Sequence, residues 1–276
     1  MRKSDRRAVV RPEIIVLVVC AIVAVVVGVV LLKNVRRPGG FSAKESAMLR
    51  GIHQSWVIYS REFGGSYPVP GLVRRLPEGG VLMPGHGEED VSQNTTANLF
   101  SLCIAGNYFT PEMCVGSTEP SHRVKVLDSE GYDYQQYQPS EGIFWDTNFK
   151  ADLHVLSNVS YAHRPITGEL ENRFWRDSLD ASVAVVGNRG PLGGIANANS
   201  ITNKIYSPQD SWNGIIVYGD NSVSFTSTFP ATKRPNGLGY VIAPECQKEG
   251  TTPLNSDADI TFTKEMTDSG PVIQHD

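Results

Sequence analysis

The sequence predicts an α+β protein in which an N-terminal transmembrane helix is followed by an amphipathic helix packed on an antiparallel β-sheet. Three observations predict it. Ile14 to Leu32 (IIVLVVCAIVAVVVGVVLL) is a run of 19 residues without a charge. Met48, Ile52, Trp56, Tyr59 and Phe63 then recur at steps of four, four, three and four, which places them on one face of a helix. Later, Ile215-Ile216-Val217-Tyr218 and Val223-Ser224-Phe225 flank the turn-forming residues Gly219-Asp220-Asn221, a hairpin pattern.

The first element follows from length and charge. Nineteen residues at the helical rise span about 28 Å, the thickness of a bilayer core. Val and Ile are mediocre helix formers in water, but in hydrocarbon each backbone N–H must bond within the segment, and the helix achieves that. The run is too long for the apolar region of a cleaved secretory signal, and no small-x-small site follows Leu32. Lys33, Arg36 and Arg37 close it as a stop-transfer flank. Of the chain's 276 residues, the first 37 carry eight basic side chains against Asp5 and Glu13, a net of +6. The overall charge of −4 therefore leaves −10 for the remainder. An acidic body repels phosphate backbones, which argues against a nucleic-acid partner. The basic character of the N-terminus assigns it to the cytoplasm and the body to the outside. The resulting division is a basic leader over residues 1–12, a transmembrane helix over 13–32, a hinge over 33–41 punctuated by Pro38-Gly39-Gly40, and an extracytoplasmic domain over 42–276.

In that domain Ser42 and Glu45 have the spacing of a capping box, which starts the second helix, and Gly64-Gly65 ends it. A shorter helix is expected within 98–109. Strands are expected over 153–161, where Leu153, Val155, Ser157, Val159 and Tyr161 alternate, and over 182–186 and 259–263. The hairpin is expected to bury Ile215, Val217, Val223 and Phe225 against Ile52, Trp56 and Tyr59. Asn221 at its tip is expected to tolerate glycine.

Chemistry is sparsely signalled. The six histidines (His53, His86, His122, His154, His163, His275) form no HxH or HExxH pattern. His86-Gly87-Glu88-Glu89-Asp90 reads as a solvated acidic loop, and Asp220 as a turn residue. Gly187 to Gly194 lacks the Gly-Lys-Ser/Thr of a phosphate loop. Cys20 sits in the apolar run. Of Cys103, Cys114 and Cys246 at most one pair can bridge, with Cys103 and Cys114 the local candidates. Asn94-Thr95-Thr96 and Asn158-Val159-Ser160 fit the N-glycosylation pattern. No cofactor, metal site or catalytic residue is expected.

Several patches resemble the bacterial pilin-like proteins with a prepilin-type N-terminus, relatives of type IV pilins and of the pseudopilins of type II secretion. Glu13 followed by Ile14-Ile15-Val16-Leu17-Val18-Val19 is similar to the start of their helix, and Ala8 stands where a leader would be cut, with Val9 as first mature residue. Leu49 to Pro70, Leu99 to Cys114 and Trp212 to Phe225 (WNGIIVYGDNSVSF) resemble later segments. Ala8 replaces the usual glycine and Arg11-Pro12 an uncharged pair, which favours an uncleaved leader. The resemblance implies a non-enzymatic structural component of a surface or secretion apparatus in the bacterial inner membrane. Its partners would be the bilayer, through residues 14–32, and other pilin-like subunits, with Glu13 as assembly residue. The alternative is a membrane-anchored periplasmic binding module or enzyme whose site is assembled from residues distant in sequence.

Overall fold

A computed structural model describes residues 39–73, 77–78, 81–82, 88–136, 138, 141–167, 174–191, 197–206, 212–226, 260–268 and 270–274. By internal contacts the chain divides into Met1–Gly39 and Gly40–Asp276. Ala8, Val9, Glu13 and the run Ile14 to Leu32 lie outside the described residues, as do Cys20, His86, Cys246 and His275. Among the described residues no helix is long and apolar enough to cross a membrane. The second unit is a mixed α+β body with antiparallel sheets.

Helix α1 spans Gly39–Glu62. It starts three residues before the expected cap, so Glu45 falls inside the helix and turns inward, only 1% exposed. The buried stripe is Glu45, Leu49, Ile52, Trp56 and Tyr59, with Phe63 of the expected face left 41% exposed beyond the last turn. Gly64 and Gly65 stop the helix at φ 78° and 94°, values that a side chain would strain. The Gly65 N–H reaches back to the Ser60 carbonyl at 2.6 Å.

After the short helix α2 (Pro70–Val73) and the paired strands β1 (Pro77–Glu78) and β2 (Val81–Leu82) comes helix α3, Thr96–Ala105. The Thr95 hydroxyl caps α3 by accepting from the Asn98 N–H at 3.2 Å. Leu49, Ile52 and Trp56 of α1 and Leu99, Phe100, Cys103 and Ile104 of α3 share one buried cluster with Val186, Ile215 and Val217. Trp56 is its hub, with ring centroids 5.0 Å from Trp175, 6.0 Å from Phe100 and 6.3 Å from Tyr67.

The main sheet is antiparallel, in the order β5 (Tyr161–His163), β6 (Ala184–Asn188), β7 (Gly214–Tyr218), β8 (Val223–Thr226). Successive β7 side chains point to opposite faces. Ile215 and Val217 join the main cluster, while Ile216 joins Ala162, Ala184, Trp212 and Ile260 on the other face. At the outer edge of β5, His163 and Thr261 exchange backbone bonds of 2.9 and 2.7 Å.

Three strand expectations need correction. Residues 153–161 are not one strand. β3 (Ala151–Asp152) and β4 (Leu156–Ser157) form a small hairpin, because the Asp152 carboxylate accepts from the His154 N–H at 2.9 Å and turns the chain there. The strand expected over 259–263 lies at Thr263–Thr267 (β9), paired with β10 (Gly270–Ile273). Phe225 is not buried. It pairs with Ile215 in register, yet it is 45% exposed on strand β8 and meets Tyr206 edge-on at 5.4 Å.

Burial ranks the hairpin positions. Ile215→Ala should cost about 2–5 kcal/mol, because Ile215 is fully buried and its loss leaves a cavity. Phe225→Ala should cost only about 1 kcal/mol, in keeping with its partial burial. Denaturant midpoints of the two variants check the order.

Candidate functional site: the polar junction beneath helix α1

Glu45 continues the apolar stripe of α1 one turn back from Leu49, so the helix that buries Trp56 also buries a carboxyl group. Its Oε1 accepts from Asn188 Nδ2 at 3.0 Å, and its Oε2 from the Thr118 hydroxyl at 3.2 Å. Asn188 ends β6, and its orientation is fixed. Its Oδ1 accepts from the Ile215 backbone N–H at 2.7 Å, a group that can only donate, and also from the Tyr206 hydroxyl at 2.9 Å. Gly116 lies against the carboxyl so closely that a Cβ there would overlap Glu45 Oε1. Its own N–H donates to the Ser160 hydroxyl at 2.8 Å.

The next residue, Arg189, is 1% exposed and grips Glu119 with both terminal nitrogens, Nη2 to Oε1 at 2.8 Å. Glu119 Oε1 also accepts from the Ser121 N–H at 2.8 Å, and the Arg189 carbonyl accepts from Trp212 Nε1 at 2.9 Å. A planar guanidinium suits this two-pronged grip on a carboxylate. Burial raises the Glu45 carboxyl above the ordinary carboxylate range. Its hydrogen bonds oppose that shift and the Glu119 charge adds to it. Burial likewise raises the hydroxyls of Tyr161 and Tyr206, which stand beside Glu45.

Two histidines are buried by the same fold. His163 Nδ1 faces the Arg164 carbonyl at 2.8 Å and must donate to it, so Nε2 accepts from the Thr96 hydroxyl at 2.9 Å. Thr96 Oγ1 in turn accepts from the Thr263 N–H at 2.9 Å. This hydroxyl–imidazole pair has the outline of a nucleophile and its base. Both residues are fully buried, however, and the second ring nitrogen is spent on a carbonyl, so the pair ties α3 to β5 and β9. Burial lowers His163 to about 4. His53, also lowered by burial, bridges Tyr67 OH at 2.9 Å and Asn221 Oδ1 at 3.1 Å. Asn221 does sit at φ 63°, but glycine there would remove the partner of His53, so the expected neutrality of that substitution does not follow.

The other residues singled out in the sequence are accounted for locally. Cys103 and Cys114 are buried free thiols, so the local bridge is not formed in this structure, and burial raises both. Asp220 holds its turn by accepting from the Ser222 N–H at 2.8 Å. The Asn94 and Asn158 side chains are 1% and 4% exposed and clamp backbone: Asn94 the Gly71 N–H, Asn158 the Lys150 N–H and the Lys125 carbonyl. Neither is open to a glycosylating enzyme in the folded protein. Among the described residues no group of three His, Cys, Asp or Glu is placed to hold a metal ion. A cavity of about 60 Å³ is lined by Pro70, Gln93, Gly142, Phe144 and Trp145. Small-molecule pockets run to about 300–1,000 Å³, and none of the junction's ionisable groups lines this one.

The signal for Glu45 was present in its spacing, four residues before Leu49 on the stripe, but the capping-box pattern claimed it. Glu119, Asn188, Arg189 and Tyr206 carried no local signal.

Burial and charge set two outcomes. Glu119→Ala strands the Arg189 guanidinium and should cost about 3–5 kcal/mol in a denaturant titration. For His163 the folded value of about 4 lies below the ordinary 6.5, so the folded state binds fewer protons. That contribution is intact above pH 6.5 and is lost as pH falls toward 4, by about 3 kcal/mol. Unfolding titrations of the parent and of His163→Gln at pH 7 and pH 4 should show this loss in the parent alone. The chain matches no protein-family model, no curated protein and no solved structure.

Proposed function

We propose that the chain is a membrane-anchored, non-enzymatic, pilin-like or pseudopilin-like structural component of a bacterial surface or secretion apparatus. Residues 14–32 would cross the inner membrane, with the N-terminus in the cytoplasm and the body in the periplasm or outside the cell. One observation carries the reading. An uncharged run of 19 residues precedes a body in which an amphipathic helix, through Leu49, Ile52 and Trp56, shares its core with an antiparallel sheet. The pattern that resembles the pilin-like hairpin, Trp212 to Phe225, lies at β7 and β8 of that sheet. The ionisable groups at the junction support a structural role, since Glu45 and Arg189 are each 1% exposed and already engaged by protein groups.

Protease added to spheroplasts should digest the body while the N-terminal fragment stays with the membrane, and full protection of the body would overturn the orientation. N-terminal sequencing of membrane-extracted protein should return the uncleaved chain. A chain beginning at Val9 would instead make Glu13 an assembly residue, because its carboxylate could then neutralise a neighbour's new amine at the edge of the bilayer.

A further inference from the structure

After α3 the chain runs back along α1. The Tyr108 carbonyl accepts from the Ser55 hydroxyl at 2.9 Å, Met113 packs on Gly51, and the Thr118 hydroxyl reaches Glu45 in the second turn. Residues 123–125 follow and join the β3–β4 hairpin. There the Lys125 N–H donates to the Ser157 carbonyl at 2.8 Å and the Ser157 N–H to the Arg123 carbonyl at 3.0 Å. Ser160, just beyond Ser157, is tied to Gly116 beside Glu45. The hairpin therefore lies toward the start of α1, the end at which the body joins residues 1–38. From Leu32, the last residue of the uncharged run, the chain reaches Gly39 within about 25 Å even at full extension.

Val124 and Ser157 are buried, so strand alternation turns Arg123, Lys125 and Leu156 outward. Val155 at the hairpin tip is 75% exposed, and Val126 and Leu156 are exposed as well. The tip is braced. Asp152 accepts from the His154 N–H and from Gln274 Nε2, each at 2.9 Å, and from Lys264 at 3.0 Å, while Leu153 is fully buried. In a body that is acidic overall, Arg123, Lys125 and Lys150 make this face cationic. Among the described residues neither Arg123 nor Lys125 has a side-chain partner, and Lys150 donates to the Thr147 carbonyl at 2.7 Å while staying exposed. Asp152 is the one carboxylate within 122–126 and 150–157, and Lys264 occupies it. Asp128 and Glu130 belong to the next turn, which Asp128 closes by accepting from the Gly131 N–H at 2.8 Å.

We propose that the β3–β4 hairpin docks the body on an anionic bilayer, with Val155 and Leu156 entering the interface and Arg123, Lys125 and Lys150 meeting lipid phosphates. The inference rests on the membrane anchor proposed above, which keeps the start of α1 near lipid. Charge selects the occupant, since anionic headgroups complement the three cations. Exposed apolar side chains flanked by cations suit the boundary between headgroups and acyl chains, where the former leave water and the latter find phosphate. Because Asp152 already holds the tip, docking orders little that was loose.

The test uses the full chain with Cys20→Ala and Cys246→Ser, in which Cys103 and Cys114 stay buried. Val155→Cys carries an environment-sensitive dye, and the protein is reconstituted in vesicles of phosphatidylcholine alone or with phosphatidylglycerol, each doped with a nitroxide-labelled lipid as quencher. Leu179→Cys is the control. It is as exposed as Val155 but stands at the other end of α1, where the Asp177 N–H donates to the Gly65 carbonyl. The dye at 155 should be blue-shifted and quenched in phosphatidylglycerol vesicles, much less so in phosphatidylcholine, and the dye at 179 in neither. Lys125→Gln should lower the ratio of docked to undocked body about fivefold, as should Arg123→Gln. Their thermal melts should match the parent, because neither side chain holds the fold. The docking is overturned if positions 155 and 179 are quenched alike, if the two lipid compositions give the same quenching, or if the dye at 155 shifts to the blue without being quenched. The last result would mean that protein covers the hairpin. Flotation of the vesicles after an alkaline carbonate wash reports the anchor separately. A chain that floats with position 155 unquenched overturns the docking alone, and a chain stripped by carbonate overturns the anchor while quenching before the wash still decides the docking.

Discussion

Burying the indole of Trp56 is the constraint on which the body is organised. The side chain is too large to be covered by one neighbouring element, and α1 alone offers it no shelter. Tyr67 and Trp175 come to it from loops and Phe100 from α3, while Ile215 and Val217 supply the sheet side of the same cluster. Dispersion contacts of this kind are individually weak and collectively large. They hold α1 to the rest of the body, and the flanking loops inherit their positions from the aromatic rings they contribute.

Apolar packing settles which faces meet and leaves the register of meeting loose, because one aliphatic contact substitutes readily for another. Directional bonds remove that freedom. Glu45 with Asn188 fixes α1 along its axis near its start, and His53 with Asn221 fixes it again two turns later at the tip of the β7–β8 hairpin. Thr96 and His163 do the same for α3 against β5 and β9. The Glu45–Asn188 and Thr96–His163 bonds are buried, so their loss carries a desolvation cost beyond the bond itself, whereas the His53–Asn221 bond is partly exposed at the hairpin tip.

The range of each interaction decided what was legible in the sequence. The stripe of α1 and the β7–β8 hairpin show as periodicity, since each residue's neighbours lie three, four or two positions away. Glu45 was misassigned because the local pattern with Ser42 is real, while its partner Asn188 lies 143 positions on. Arg189 sat inside a Gly-rich stretch weighed as a phosphate loop, and Glu119 was 70 positions distant. The alternation over 153–161 was also real, but one aspartate bond at residue 152 outweighed it and folded the segment back on itself. Phe225 shares the face of Ile215, its partner in register, yet a shared face does not fix burial, and Phe225 is left exposed.

The burial of Asn94 and Asn158 bears on where this chain can be produced. Both lie in sequences that the oligosaccharide-transferring enzyme of a eukaryotic secretory pathway recognises in nascent, unfolded polypeptide. There the competition is kinetic. A glycan attached before the body closes would occupy side chains whose amides are needed by the backbones of Gly71 and Lys150, and the fold could not then accommodate it. Deleting the acceptors by changing the asparagines would remove the same clamps. Ser160 offers no simple substitute position, since its hydroxyl receives the Gly116 N–H. Thr96 is equally constrained, being bound to His163. A secretory host would thus set glycosylation against folding at two places where the native chain has no slack, and a bacterial export route avoids the conflict altogether.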